Sequence, residues 1–181
     1  MADRGDFELY LLAAMRCDAA LIDAALRTAG ADRQEMSAAA RRIREATSGN
    51  AGTARVAEIL GEHVWSGTAT VQGRGWPARR YPLRLWPGFD FEVVTGPRGL
   101  WLDGGFRRAA GAARPDVREP ATLPPWGVTA GEVADLFGPL MDGDYLPPYT
   151  EYFITGAHGA YLATFGWDLL QRIEPAGYVH R

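Results

Sequence analysis

Residues 80–94 read RYPLRLWPGFDFEVV and contain the clearest alternation of apolar and polar side chains in the chain. Such alternation is typical of β-strands with one buried face. When Leu85 is placed opposite Phe91 across a turn, the apolar faces of the two halves match. The same register places Arg84 opposite Glu92, so the charged faces match as well. We therefore predict an antiparallel hairpin in this segment.

This hairpin is predicted to belong to a longer antiparallel arrangement. Its turn has an odd number of residues in this register, which predicts a bulge with a positive φ angle at Gly88. Gly96–Gly99 supplies the next turn and leads into Leu100–Leu102, which completes a three-stranded meander. Residues 64–72 alternate more weakly and predict a further strand before the hairpin. Antiparallel strands are thus expected over residues 64–108.

Residues 6–61 are predicted to be helical, because their apolar residues recur at helical spacing. The first helix is expected over residues 6–28. Asp32, with a glutamate three residues later, provides a start resembling a capping box for a second helix. Thr53 is the predicted cap of a third, shorter helix, which ends at Gly61.

The C-terminal part of the chain combines loop, helix and strand signals. Four prolines and the lack of any period predict an irregular loop over residues 109–127. Thr129, followed three residues later by a glutamate, is a capping box that starts a helix over residues 128–141. Alternation predicts a hairpin and a closing segment over residues 149–174. For residues 167–173 the pattern leaves helix and strand open.

The order of these elements predicts an α+β fold in a single domain over residues 1–181. The N-terminal helices pack on a mainly antiparallel sheet of about five or six strands, formed by the meander and the C-terminal hairpin. One helix is inserted before the last hairpin. A chain of this length buries about 70% of its unfolded surface, so its core requires neither disulfides nor metals.

Charge and composition narrow the range of partners and locations. The net charge of −3 argues against nucleic acid, because phosphate binding requires a strongly basic surface. All 19 positive side chains are arginine, and they are spread along the chain. No run of about 18 apolar residues occurs, so we expect no membrane span. The N-terminus lacks an apolar signal segment and Cys17 has no second cysteine to pair with, which favours a cytoplasmic location.

Short motifs of the common enzyme classes are absent from the sequence, including those of zinc proteases, phosphate-binding loops and nucleophile elbows. His63, His158 and His180 are far apart, and with Cys17 they lack the spacing of a metal site. We therefore predict no metal and no cofactor. His63 also precedes Ser66, but without an elbow motif the pair is interpreted as a helix-end histidine beside a strand-entry serine. The absence of these motifs favours a protein without catalytic activity, but it does not decide whether the protein is an enzyme.

Asp142-Gly143-Asp144 is similar to the DxD motif with which glycosyltransferases hold a metal and a sugar nucleotide. The chemical reason is that two carboxylates this close can share one hard cation. The chain lacks the glycine-rich strand–helix units that such folds use for nucleotides. We therefore predict a solvated turn that follows the preceding helix.

Six tryptophans in a chain of this size indicate either a recognition surface or a well-covered core. Three of them adjoin proline and are therefore expected in loops, where tryptophan beside arginine is typical of binding hot spots. The predicted partner-binding residues are Trp76, Arg79, Trp86, Arg98, Trp101 and Trp126. The alternative is that these rings close the open face of a small core.

Three functions from different classes remain open. The leading prediction is a non-catalytic module that binds a protein partner, comparable to toxin-neutralising immunity proteins or small secretion chaperones. The second is a small-molecule binder or an enzyme with a pocket between the sheet and the N-terminal helices, lined by Tyr81, Tyr152 and Asp168. The third is a homo-oligomer, such as a homodimer, whose aromatic face is its interface.

Overall fold

The computed structural model describes residues 2–48 and 52–177, and the chain divides into two compact units. Unit 1 comprises residues 1–15 and 19–110, and unit 2 comprises residues 16–18 and 111–181. The described residues form five α-helices and two antiparallel sheets of four strands each. The α+β class is thereby confirmed, although two sheets replace the one expected. The single domain over residues 1–181 stays a prediction.

Four helices form the N-terminal part of unit 1. Their bounds are α1 Arg4–Ala13, α2 Ala19–Ala29, α3 Arg33–Thr47 and α4 Gly52–Leu60. The prediction of one helix over residues 6–28 is wrong, because the chain leaves the helix after Ala13 and begins a new one at Ala19. Asp18, a residue type favoured just before a helix, is the signal in the sequence for this second start.

Capping residues set the ends of two helices as predicted. The side chain of Asp32 accepts a hydrogen bond from the backbone N–H of Glu35 at 2.8 Å, which starts α3. Gly61 has a φ angle of +74° and donates its N–H to the carbonyl of Ala57 at 2.8 Å, which ends α4. Thr53, predicted as the cap of α4, is instead its second residue.

Asp6 links the start of α1 to α3. Its backbone N–H donates to the side chain of Asp3, the N-cap residue, at 2.9 Å. Its carboxylate accepts hydrogen bonds from Nε and Nη2 of Arg42 at 3.1 and 2.5 Å. These bonds hold the pKa of Asp6 below its ordinary value of 3.8. The folded state therefore favours the ionised carboxylate.

We expect Asp6→Asn to lower the free energy of unfolding by about 1 kcal/mol near pH 7, the upper range for a solvent-screened ion pair. Because the folded-state pKa of Asp6 is lowered, this stabilisation is present above the unfolded pKa of about 4. It is lost as the pH falls through the folded-state value. Urea denaturation of both proteins at about pH 7 and pH 3 measures the effect. A difference that persists undiminished at the lower pH would contradict it.

The strands of unit 1 form an antiparallel meander in the order β1-β2-β3-β4. Their bounds are β1 Trp65–Val71, β2 Arg74–Pro82, β3 Phe89–Thr95 and β4 Trp101–Arg108. A single 3₁₀ turn over Pro97–Gly99 joins β3 to β4. The antiparallel strands predicted between residues 64 and 108 are thereby confirmed.

The register of the central hairpin differs from the predicted one. Glu92 lies opposite Arg80 rather than Arg84, and Phe91 lies opposite Tyr81. The shift is an even number of residues, so Glu92 still faces an arginine and Phe91 still faces an apolar side chain, whereas Val93 now faces Arg79. At Glu92 and Phe91 the pattern of apolar and charged residues alone therefore does not distinguish the two registers.

A contact from α1 explains why the strand pairing stops early. The backbone N–H groups of Arg84 and Leu85 donate to the Glu8 carboxylate at 3.0 and 2.9 Å. These two groups are therefore engaged outside a strand ladder, and β2 ends at Pro82. Gly88 consequently sits in a longer connection, and the prediction of a positive φ angle there is wrong.

Aromatic packing joins α1 to one side of this sheet. The ring of Phe7 lies 5.3 Å from that of Phe91 and 6.0 Å from that of Trp101, measured between centroids. We call this side of the sheet the helix-facing side. Side chains alternate along a strand, so Val93 and its cross-strand partner Arg79 share the helix-facing side with Phe91.

Unit 2 consists of α5 and the second sheet, whose strand order is β5-β6-β7-β8. The bounds are α5 Ala130–Phe137, β5 Met141–Leu146, β6 Tyr149–Gly156, β7 Gly159–Gly166 and β8 Leu169–Pro175. Thr129 and Glu132 form the predicted capping box at the start of α5. Val133 of α5 packs in a buried cluster with Ile154 and Phe165. This cluster holds the helix on the sheet.

The predictions for this unit are partly confirmed. The hairpin over residues 149–174 is present, and residues 167–173 continue into strand β8 rather than a helix. The helix predicted over residues 128–141 ends earlier, at Gly138 with a φ angle of +88°. Residues 142–144, predicted to form a turn, belong to β5.

Candidate functional site

The tryptophans predicted to contact a partner are distributed over both units. Trp76, Trp86 and Trp101 belong to unit 1, whereas Trp126 belongs to unit 2. The side chain of Trp86 is only 3% exposed, and its ring lies edge-on to that of Phe106 at 5.1 Å. The prediction for Trp86 is therefore corrected, because it is a core residue of unit 1.

Trp101 and Trp126 are half-buried and are held by specific contacts. Nε1–H of Trp101 donates to the carbonyl of Asp103 at 2.9 Å, while its ring packs edge-on to Phe91. Trp126 has a φ angle of +60°, and its backbone N–H donates to the carbonyl of Leu170 at 2.8 Å. Both residues are thus partly exposed while specific hydrogen bonds hold them in place.

Two arginine–tryptophan stacks lie on the β1–β2 hairpin. The guanidinium of Arg74 lies 4.3 Å from the centre of the Trp76 ring, and that of Arg80 lies 4.2 Å from the Trp65 ring. Both distances are within the range of cation–π attraction. Trp76 was predicted from the sequence, whereas Trp65 was not. The stacking partner of Trp65 lies directly opposite it across the two strands.

The remaining predicted residues of unit 1 do not form one surface. Arg79 and Arg98 are exposed, with Arg98 in the 3₁₀ turn at a φ angle of +57°. Trp76 and Arg79 are an odd number of positions apart on β2, so their side chains lie on opposite sides of the sheet. Tyr81, predicted to line a pocket, is fully buried with its ring 6.2 Å from that of His63. The prediction that Tyr81 lines an open pocket is therefore corrected, because its side chain is buried.

Tyr152 and Asp168, the other two predicted pocket residues, come together in unit 2. Burial is the main cause that raises the pKa of Tyr152 above its ordinary value of 10.0. The charges of Asp168 and Asp142, followed by Tyr145, raise it further. Asp168, Asp142 and Tyr145 therefore each lie within electrostatic range of Tyr152. We call Asp142, Tyr145, Tyr152 and Asp168 the acidic tyrosine face.

The pairing of β5 with β6 places three members of this face on one side of the sheet. Asp142 lies opposite Tyr152, and Tyr145 lies opposite Thr150. Residues directly opposite share a side, and positions 150 and 152 also share a side because strand side chains alternate. The carboxylate and both phenol rings therefore project from the same side of the sheet.

A bulge in β5 makes this arrangement possible. The register shifts between Asp142 and Tyr145, which are an odd number of positions apart and would otherwise lie on opposite sides. Gly143 lies within the bulge, and a Cβ atom there would be 3.0 Å from the carbonyl oxygen of Glu151. The close approach of the two backbones favours glycine at this position.

Asp168 joins the face from the turn between β7 and β8. Trp167 and Asp168 have φ angles of +53° and +68°, as a tight two-residue hairpin turn requires. The N–H of Trp167 donates to the carbonyl of Pro148 at 2.9 Å, and the N–H of Ala130 donates to the carbonyl of Asp168 at 3.0 Å. The turn is thereby fixed to the β5–β6 connection and to α5.

The edge strand β5 exposes large apolar side chains next to these charges. Met141, Tyr145 and Leu146 are 55%, 74% and 63% exposed. Unit 2 also carries ten carboxylate side chains against five arginines. An exposed edge strand offers a template for another chain, and the negative charge of the unit attracts cations.

In residues 2–48 and 52–177, no group of three or more His, Cys, Asp and Glu side chains is placed to hold a metal ion. His180 lies outside the described residues. Over the same ranges, none of the helices combines the length and the apolar character needed to cross a membrane.

No protein-family model matches the chain, and no curated protein or solved structure is significantly similar to it. The chemistry of the side chains is therefore the basis on which a function is assigned.

Proposed function

We propose that the protein is a non-catalytic binding module that takes a basic partner protein on the acidic tyrosine face. The observation that carries this proposal is the largely exposed Tyr145 on the same side of the sheet as Asp142, with Asp142 and Asp168 both within electrostatic range of Tyr152. Tyrosine is frequent among the residues that dominate interface energies, because it brings a large rigid ring with a polar tip. Asp142 and Asp168 accept hydrogen bonds from arginine or lysine, and the Tyr145 ring attracts the same cations.

The charge of unit 2 as a whole favours the same partner. Its excess of carboxylates over arginines creates a negative field that speeds encounter with a positively charged protein. Mobile ions screen this field over about 10 Å at moderate salt. Association with the partner is therefore expected to slow as the ionic strength rises.

The same charges argue against a symmetric homodimer formed through this face. In a two-fold interface one patch meets its own copy, so Asp142 and Asp168 would face the equivalent carboxylates. Like charges brought together at an interface disfavour association. A different, basic chain avoids this repulsion and is the partner that the side chains fit better.

We expect Tyr145→Ala to weaken partner binding by about tenfold or more, as is usual for a tyrosine at the centre of an interface. Asp142→Asn is expected to weaken it less, and mainly at low salt, because its contribution is electrostatic. Neither change should lower the melting temperature appreciably, since both side chains are exposed. Titration calorimetry with the purified partner and thermal denaturation of each variant measure the two effects.

Site-specific photocrosslinking identifies the partner and tests the face together. A photoreactive amino acid replaces Tyr145 in one protein and Asp116, an exposed residue elsewhere in unit 2, in the control. A protein with an isoelectric point above about 9 that crosslinks only from position 145 supports the proposal. The proposal is wrong if no protein crosslinks there, or if the crosslinked protein binds Tyr145→Ala as tightly as the wild type.

A further inference from the structure

A groove in unit 1 lies between α4 and the helix-facing side of β1 and β2. Its volume is about 580 Å³, within the range of about 300–1,000 Å³ found for small-molecule sites. The lining includes Thr53, Ala57, Ser66, Thr68, Arg79 and Thr95. Four of these residues carry a hydroxyl group and one carries a guanidinium group. The groove is therefore polar on several sides at once.

Arg79 supplies the positive charge of the groove. It is exposed, and no ion pair or side-chain hydrogen bond joins it to another residue of 2–48 or 52–177. Its neighbour Arg80 differs, because its Nε donates to the buried carboxylate of Glu92 at 2.8 Å. Arg80 thus has a structural partner, whereas the guanidinium of Arg79 retains its donors for an oxyanion, which it can hold in bidentate geometry.

The hydroxyl groups of the groove come from β1, from α4 and, through Thr95, from β3. Ser66 on β1 lies directly opposite Arg79, and Thr68 follows on the same side of the strand. Thr53 on the first turn of α4 is 9% exposed, and its Oγ1 has no hydrogen-bond partner among the described residues. An unpaired buried hydroxyl is costly, so a ligand that pairs with it gains binding energy.

We propose that this groove binds a small polyhydroxylated anion, of which a sugar phosphate is the simplest example. The phosphate pairs with Arg79, and the start of α4 adds the positive end of a helix dipole. Hydroxyls both donate and accept hydrogen bonds, so Ser66, Thr68 and Thr53 match the alcohol groups of a sugar. The described lining contains no aromatic side chain on which a nucleobase could stack.

Titrations of the labelled protein followed by NMR test this proposal. The probes are glucose 6-phosphate, glucose and inorganic phosphate, each added to about 10 mM, which detects dissociation constants in the millimolar range. We expect saturable shifts for glucose 6-phosphate at the backbone amides of Ser66, Thr68 and Arg79, and weaker binding of the other two probes. Absence of saturable shifts at these amides, or equal binding of phosphate and glucose 6-phosphate, would overturn it.

Two variants separate the charge from the hydroxyl groups. Arg79→Gln is expected to weaken glucose 6-phosphate binding about tenfold or more, because one charge-assisted pair is lost. Arg27→Gln, which removes an exposed charge of α2 outside the groove, serves as the matched control and should bind as the wild type does. Thr68→Val should weaken binding of glucose 6-phosphate but not of phosphate. Unchanged binding by Arg79→Gln, or equal losses in Arg27→Gln, would count against the site.

Discussion

Replacing Glu8 by alanine is expected to lower the free energy of unfolding by about 2–4 kcal/mol. The Glu8 carboxylate is 2% exposed, and its two oxygens accept the backbone N–H groups of Arg84 and Leu85. Alanine leaves both N–H donors without this acceptor, and a donor left unpaired away from water costs about 1–3 kcal/mol. The connection between β2 and β3 would lose its attachment to α1 at the same time.

Urea denaturation followed by tryptophan fluorescence measures this loss, and hydrogen exchange at Arg84 and Leu85 localises it. Glu8→Gln keeps one acceptor oxygen, so we expect an intermediate loss of stability and slower exchange at one of the two amides. Glu62→Ala removes an exposed carboxylate and is the control. A loss below about 0.5 kcal/mol for Glu8→Ala would show that these hydrogen bonds do not hold the connection.

Glu92→Gln is expected to cost about 2–3 kcal/mol, the second largest effect. The Glu92 side chain is 3% exposed, and its two oxygens accept Nε of Arg80 and Nε of Arg107 at 2.8 and 2.9 Å. Removing the charge leaves two guanidinium groups without their common counterion, which is destabilising when the site is largely desolvated. The partial exposure of both arginines places the estimate below the range of about 3–5 kcal/mol for fully buried pairs.

An exposed ion pair on α4 provides the comparison for Glu92. Arg55 and Glu58 lie 2.8 Å apart, with both side chains more than half exposed. Glu58→Gln should change the free energy of unfolding by no more than about 0.5 kcal/mol. Salt should diminish that small effect and leave the Glu92 effect nearly unchanged, because buried charges are screened less. Equal effects of the two substitutions would contradict the assigned role of Glu92.

Signals from residues close together in the sequence were sufficient to predict most of the helices and strands and several of their ends. The Thr129 capping box, the stop at Gly61 and the start at Asp32 each depend on backbone groups within one helical turn. The alternation over residues 149–174 likewise needs only neighbouring residues to be recognised. The break between α1 and α2 was missed, because apolar spacing continues across it and only Asp18 marks the new start.

The hairpin register required a contact from outside the hairpin. Arg80 and Arg84 both alternate with apolar residues, so either one satisfies the pattern opposite Glu92. Glu8, 76 positions before Arg84, accepts N–H groups that would be needed to extend β2. A long-range hydrogen bond of this kind leaves no periodic trace in the sequence.

The acidic tyrosine face shows the same division between local and long-range information. The sequence was enough to single out Tyr152 and Asp168 and to establish the acidic charge, because residue type and composition require no coordinates. It could not group them with Asp142 and Tyr145. Their proximity depends on strand pairing, on the bulge in β5 and on a turn fixed by distant carbonyl groups. Such geometry arises from contacts between residues far apart in the chain, and only the complete fold brings those residues together.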